Sequence, residues 1–268
     1  MRARASIRFV MSHGHTVNIH FLNCFTCNAR LPSHWRSGTL CLLIKTGQGL
    51  VLVDTGLGQD DYVHRSGILR LFQLITITPL DPGEAAARQI ARLGYKTEEV
   101  RHIVLSHMHF DHCGGLPDFP NARVHVHRRE YEAFTGPIRH WRQLAYVRRH
   151  IAHRPDFALY DTGPDRWFGF EAIPLPLQPE MWLIPLFGHS PGHCGVAIRT
   201  DHGWVFHVGD AAPIGLGEYA PERLTAFVLG PHAPRLRQFR LWHPEIQMTT
   251  GHMWLDFFDR PTPATTGA

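Results

Sequence analysis

The stretch "SHMHFDHCGG" at residues 106–115 constrains this chain more than any other feature. It places His107, His109, Asp111 and His112 within six positions. Polar side chains crowded this closely are costly to bury unless something satisfies them. Imidazole nitrogen and carboxylate oxygen together suit zinc, and also iron or manganese. The stretch begins where "HIVLS" (102–106), an apolar run that reads as a buried strand, comes to its end. In extended backbone, residues two apart point the same way, so His107, His109 and Asp111 are expected to project together. His112 then points toward a second ion. Gly114 and Gly115 are expected to let the backbone turn sharply away from the crowded site.

Further donors recur at the ends of apolar runs. They are Asp54 in "LVDTG", His189 in "FGHSPGH", Asp210 in "HVGDA" and His252 in "TTGHM". Strand ends are rigid, and rigid elements fix a ligand set better than free loops do. His107, His109, Asp111, His112, His189, Asp210 and His252 suffice for two metal ions. In "GHSPGH", His189 follows the strand beside Gly188 and is the expected ligand. His193 lies beyond the turn and is expected to pack behind the site. The chain has 21 histidines, so most must be ordinary. His125 and His127 share one face of the alternating run "ARVHVH" and read as a polar strand face rather than ligands. His13, His15 and His20 read as solvent or interface residues.

The surrounding organisation supports one α/β domain over residues 1–268, with two sheets and helices outside. Strands are expected at 39–46 and 50–54, joined by "GQG", and at 102–106, 122–127, 181–187, 194–200 and 204–210. Helices are expected at 84–94, 128–134, within 136–154 and in "PERLTAFVLG" and "PRLRQFRLW". In the segment 136–154, Trp141, Leu144, Ala145 and Ile151 would form one helical face, with Arg142, Arg148 and Arg149 mostly elsewhere. Residues 155–180 read as loop mixed with short strand, and the tail from 259 as frayed. Trp35 and Trp254 are candidates to line an apolar substrate pocket.

Hydrophobic residues make up 44% of the chain and charged residues 19%, which allows a large core and argues against general disorder. A net charge of +4 permits an anionic small-molecule substrate but does not argue for nucleic acid. The five cysteines are odd in number and Cys24 and Cys27 form a lone CxxC, so reduced thiols are expected. Neither a signal peptide nor a membrane span is expected, and a cytoplasmic location follows as the default. A homodimer is compatible with all of this.

In order, "LVDTG", "SHMHFDHCGG", "FGHSPGH", "VGDA" and "GH" resemble the metallo-β-lactamase superfamily. The resemblance implies a four-layer αββα sandwich with a two-metal site at one edge. It implies that His107, His109 and His189 hold one metal, that Asp111, His112 and His252 hold the other, and that Asp210 bridges them. Asp54 would orient a ligand. The implied cofactors are two divalent metal ions, zinc first, with iron or manganese as options. The implied activity is hydrolysis of an ester, lactone or thioester by a hydroxide held between the ions, with Asp111 passing a proton to the leaving group. A phosphodiesterase or nuclease of the same fold is the alternative, and a non-hydrolytic metal-binding redox protein a further one. Within the superfamily, the motifs look most like acyl-homoserine-lactone lactonases. Those carry a tyrosine three residues after the bridging aspartate, where this chain has Pro213; Tyr219 is a nearby substitute.

Overall fold

Alternation along the strand Arg36–Thr46 sets up two core layers at once. Leu40, Leu42 and Ile44 point one way and Cys41 and Leu43 the other, and all five are fully buried. Its hairpin partner Gly49–Val53 repeats the pattern, with Val51 opposite Ile44 and Val53 opposite Leu42. The first set packs against the second sheet, where it meets Leu183, Val196 and Val205. The other set packs with Ala86, Ala87 and Ile90 of the helix Ala86–Arg92.

The computed structural model describes residues 6–8, 17–29, 36–217 and 222–259. The larger sheet runs Ser6–Arg8, Asn18–Ala29, Arg36–Thr46, Gly49–Val53, Val100–Val104, Arg123–His127 and Asp156–Tyr160, with Thr76–Ile77 and His252–Trp254 paired off this path. From Gly49 onward its neighbours on this path are parallel. The second sheet runs Ile173–Leu175, Met181–Pro185, Cys194–Thr200, Gly203–His207 and Gln247–Thr249. Its outer face is covered by Leu236 and Phe239 of the helix Ala233–Trp242. The layers are therefore helix, sheet, sheet, helix, as expected. Four strands of the sandwich, Gly49–Val53, Val100–Val104, Met181–Pro185 and Gly203–His207, lead toward the donors named above.

Three features depart from the sequence expectation. The twelve-residue strand Asn18–Ala29 was not anticipated, because its register against the next strand shifts between Asn23 and Thr26 and breaks the alternation. The segment 136–154 is not one helix but two short 3₁₀ turns, Trp141–Ala145 and Arg148–Ile151. The Gln143 side chain accepts the backbone N–H groups of Arg139 and His140, which caps the first turn, and extended Val147 separates it from the second. Trp141 and Leu144 are consequently exposed rather than on a buried face. Gly114 and Gly115 have ordinary negative φ, so sharp turning is not their role. A Cβ on Gly114 would lie 2.5 Å from the Phe110 carbonyl oxygen and 2.6 Å from Asp61. These glycines are needed for close packing.

Asp61 ties that packing together. Its buried carboxylate accepts from the Gly58 N–H, from the Arg149 guanidinium and from the His150 ring. Burial alone would raise its pKa, but His150, Arg149 and the Gly58 N–H outweigh it and hold the carboxyl below its usual range. Trp35, His13, His15, Tyr219 and residues 260–268 lie outside the described residues.

Leu42→Ala should cost about 2–5 kcal/mol through a cavity between the sheets, whereas Leu241→Ala, at a position 80% exposed, should change stability by about 0.5 kcal/mol or less. Urea unfolding of both variants checks this. Asp61 also gives a pH signature. A carboxylate with a depressed folded pKa stabilises the fold above its unfolded value, about 3.9, and loses that contribution as pH falls through the folded value. The urea midpoint of Asp61→Asn should therefore fall less steeply than that of the parent protein below about pH 4. Parallel slopes would show that Asp61 carries no such linkage.

Candidate metal centre

Asp54 ends the strand Gly49–Val53 in a left-handed conformation, φ 54°, and is completely buried. One carboxylate oxygen accepts the Ser106 N–H at 2.8 Å. The other accepts the Ser106 hydroxyl at 2.7 Å and faces His112 Nδ1 at 2.9 Å and His207 Nε2 at 3.7 Å. Burial opposes its charge, yet His112 and His207 outweigh this and hold the carboxyl well below the usual range. Asp54 thus pins two neighbouring strand ends together and fixes the His112 ring, leaving His112 Nε2 to face Asp111 and Asp210.

The strand ends at Val104, Ser106 is a bend, and extended His109 caps the short helix Phe110–Cys113. The N–H groups of His112 and Cys113 donate to the His109 carbonyl at 3.0 Å. Strand alternation therefore stops before the donors, and Asp111 and His112 project from a helical turn. Three donor groups result, each with its ligand atoms within 4.8 Å of one another: His107, His109 and His189; His107, His112 and Asp210; Asp111, His112 and His252. Asp210 lies at the middle. Its Oδ2 is 3.3 Å from His252 Nε2, 3.4 Å from His189 Nε2 and 3.5 Å from His112 Nε2. All seven sequence-identified donors are brought into one cluster.

The chemistry of this cluster fits divalent cations. The buried Nε2 atoms of His107 and His112 have no hydrogen-bond partner, and His109 Nδ1 faces His189 Nε2 at 3.1 Å. Orphaned buried polar atoms are rare, and two aimed at one place call for a ligand. Burial and neighbouring imidazoles push His107 and His109 well below the ordinary histidine pKa, keeping them in the neutral form that ligates. Burial also opposes charge on His112 and His252, but Asp210 and Asp111 outweigh it and push both up. Space is tight: a Cβ on Gly251 would lie 2.0 Å from Asp210 Oδ1, so only glycine fits there. His107 and His112 have fully buried side chains, while those of His189, Asp111 and His252 are 12%, 11% and 25% exposed. The accessible side of the cluster is theirs.

His193 sits apart from the three donor groups. Its Nε2 accepts the Asp210 N–H at 3.0 Å, and burial and the adjacent His189 push its pKa down to about 3. Sequence reasoning missed Glu130, which is fully buried. Its carboxylate accepts from the Met108 N–H and the Tyr146 hydroxyl on one oxygen, and from the Ser190 hydroxyl and the Gly192 N–H on the other. It joins the loop bearing His107 and His109 to the loop bearing His189. His207 was also missed; it lies behind Asp54, with Nδ1 3.1 Å from the Thr249 hydroxyl. Neither residue carries a local sequence signal, although His207 precedes "VGDA" by a single step. His125 and His127 are outside the donor groups, but they are buried rather than a solvated face. His125 bonds with His102 and Tyr160, and His127 with Thr162 and the Arg129 N–H. Cys24 and Cys27 are free thiols, and burial pushes Cys27 up to about 12. Trp254 lines a cavity of about 520 Å³ with Phe258, Leu255 and polar residues including Asn23 and Arg36.

Residues 34–242 match the model of the family described as the metallo-beta-lactamase superfamily. The chain is 43% identical over 204 residues to a probable metallo-hydrolase of Mycobacterium tuberculosis, covering 74% of this chain and 63% of that protein. It is 30% identical over 163 residues to an N-acyl homoserine lactonase of Bacillus cereus, covering 60% and 58%. The chain thus aligns with less than two thirds of the length of either relative. Its fold is similar to that of an N-acyl homoserine lactone hydrolase solved with the product N-hexanoyl-L-homoserine at its catalytic metal center, with a TM-score of 0.67 at 20% identity over 97% of this chain and 98% of the other. With the family match spanning most of the chain and the sandwich observed, the chain belongs to the metallo-beta-lactamase superfamily.

Proposed function

We propose that this chain is a metal-dependent hydrolase that cleaves an ester, lactone or thioester bond in a small molecule. The observation that carries it is the convergence of ligand atoms from His107, His109, Asp111, His112, His189, Asp210 and His252 into overlapping groups, each with its atoms within 4.8 Å of one another. The names of its relatives support the same class. His107, His109 and His189 would hold one cation, Asp111, His112 and His252 the other, and Asp210, central to the cluster, would be shared between them. Zinc is the proposed metal, and the same donors accept iron or manganese.

When bound, two such cations supply Lewis acidity toward a carbonyl and lower the pKa of water. The protein's own groups do the rest. Asp54 holds His112 in one tautomer through its Nδ1. His193 orients the Asp210 backbone through its N–H. Glu130 fixes the separation of the two ligand loops. Asp111 stands on the accessible side and is placed to pass a proton to the leaving oxygen. No described helix is long and apolar enough to cross a membrane.

Protein purified without added metal should contain well above one equivalent per chain by elemental analysis; full activity in metal-free protein would rule the mechanism out. His189→Ala should lose most metal from one site and nearly all turnover. His193→Ala should retain both metals and lose about 10–100-fold in kcat/KM. Metal loss confined to the His193 variant would exchange the two roles.

Acyl-homoserine lactones should be poor substrates. Pro213 has no hydroxyl to offer, and Tyr146, whose ring is 5.4 Å from that of His109, commits its hydroxyl to Glu130. A kcat/KM on such lactones within the usual productive range, about 10⁴–10⁸ M⁻¹s⁻¹, would show that the missing tyrosine is dispensable.

A further inference from the structure

Beside the metal-ligand cluster lies a cavity of about 270 Å³ lined by Arg129, His140, Arg142, Gln143, Phe187 and the loop Gly188–Pro191. His189 belongs to both the cavity wall and the cluster. Two of the lining residues are guanidinium cations held in place without being neutralised. Arg129 lies over the Phe187 ring, 4.8 Å from its centroid. Arg142 lies beside the stacked rings of Trp141 and Phe227, 5.1 and 5.8 Å from their centroids, and donates to the Phe227 carbonyl. Its Nε is buried with no partner. Stacking on an aromatic face positions a guanidinium but leaves its charge and its forked donors free.

Nearby arginines are treated differently. Arg128 pairs with Asp161, Arg149 with Asp61 and Arg123 with Asp156. Among the described residues, no carboxylate lies within ion-pairing distance of Arg129 or Arg142. Of the other polar side chains of the wall, Gln143 serves the backbone of its own turn and the Ala133 carbonyl, the Ser190 hydroxyl serves Glu130, and His140 Nδ1 accepts the Arg142 backbone N–H. The cavity therefore presents uncompensated positive charge in a geometry suited to a planar or tetrahedral oxyanion.

We infer that this cavity is an anion subsite, and that the substrate carries a carboxylate or phosphate group a few atoms from the bond that is cleaved. Because His189 is common to both places, the linker must be short. A volume of about 270 Å³ takes a small oxyanion with a few carbons and falls below the usual range for larger ligands, about 300–1,000 Å³. The inference rests on the hydrolase function proposed above for the substrate it names, but the anion site itself does not.

The test uses the metal-loaded protein and two esters of equal chain length, the mono-p-nitrophenyl ester of glutaric acid and p-nitrophenyl valerate. The ratio of their kcat/KM values should favour the anionic ester by about tenfold or more, as expected for charge-assisted hydrogen bonds. In Arg129→Gln/Arg142→Gln the ratio should fall toward one, mainly through a higher KM for the anionic ester. Arg129→Gln alone, at an exposed position, should give an intermediate ratio and decides the matter if circular dichroism shows the double variant misfolded. Calorimetric titration with glutarate and with inorganic phosphate gives a second readout. At least one should bind about tenfold more weakly to the double variant, and the tighter binder names the group recognised. A ratio near one in the parent protein, or an anionic preference that survives both substitutions, overturns the subsite. If neither ester is hydrolysed, it is the hydrolase proposal that fails, and the titrations alone then uphold or overturn the subsite.

Discussion

Everything at the donor cluster leans on one buried carboxylate. Asp54 is fully enclosed, and a carboxylate in such a place survives only when it is surrounded by donors. It finds them in the Ser106 N–H and hydroxyl and in the His112 ring. Those partners belong to the next strand end and to the donor loop itself. The same contacts that satisfy Asp54 therefore set where the loop begins and how His112 is turned. Its left-handed backbone is a local strain that the surrounding sheet sustains, a cost commonly met at functional sites.

Glu130 plays a comparable part on the other side of the cluster. Four donors from three segments meet on its two oxygens, so no single loop can shift without breaking a buried hydrogen bond. Removing one member of such a network leaves its partners unpaired in a dry environment, which is why these bonds hold position more firmly than their number suggests. Burial favours the protonated form of Glu130 and raises its pKa despite those donors. Rigidity is thus supplied from behind, by Asp54, Glu130 and His193, while His189, Asp111 and His252 keep an accessible side.

The distribution of charge follows the same division. Elsewhere charges are paired, as with the buried Asp61 against Arg149 and His150. On the His189 side, Arg129 and Arg142 rest on aromatic rings instead of carboxylates. Paired charges stabilise packing, whereas cations left unpaired beside an accessible cluster remain able to bind something else.

The sequence by itself determined the sandwich and picked out the candidate donors. Alternating apolar runs revealed the strands at 39–46 and 50–54, and the residue types at strand ends picked out seven candidate donors that the fold brings together, because both signals are local in the chain. Where the local pattern was broken, the reading failed. The bulge between Asn23 and Thr26 hid a long strand, and Gln143 capping with extended Val147 turned an expected helix into two short turns. Only the tertiary structure decided that Asp111 and His112 sit on a helical turn, that Gly114 is there for packing, and that His125 and His127 are enclosed. It alone brought Glu130 and His207 to the donor loops. Glu130 stands 22 residues from Met108 and 62 from Gly192, and nothing in its neighbours along the chain records partners that only folding brings within hydrogen-bond reach.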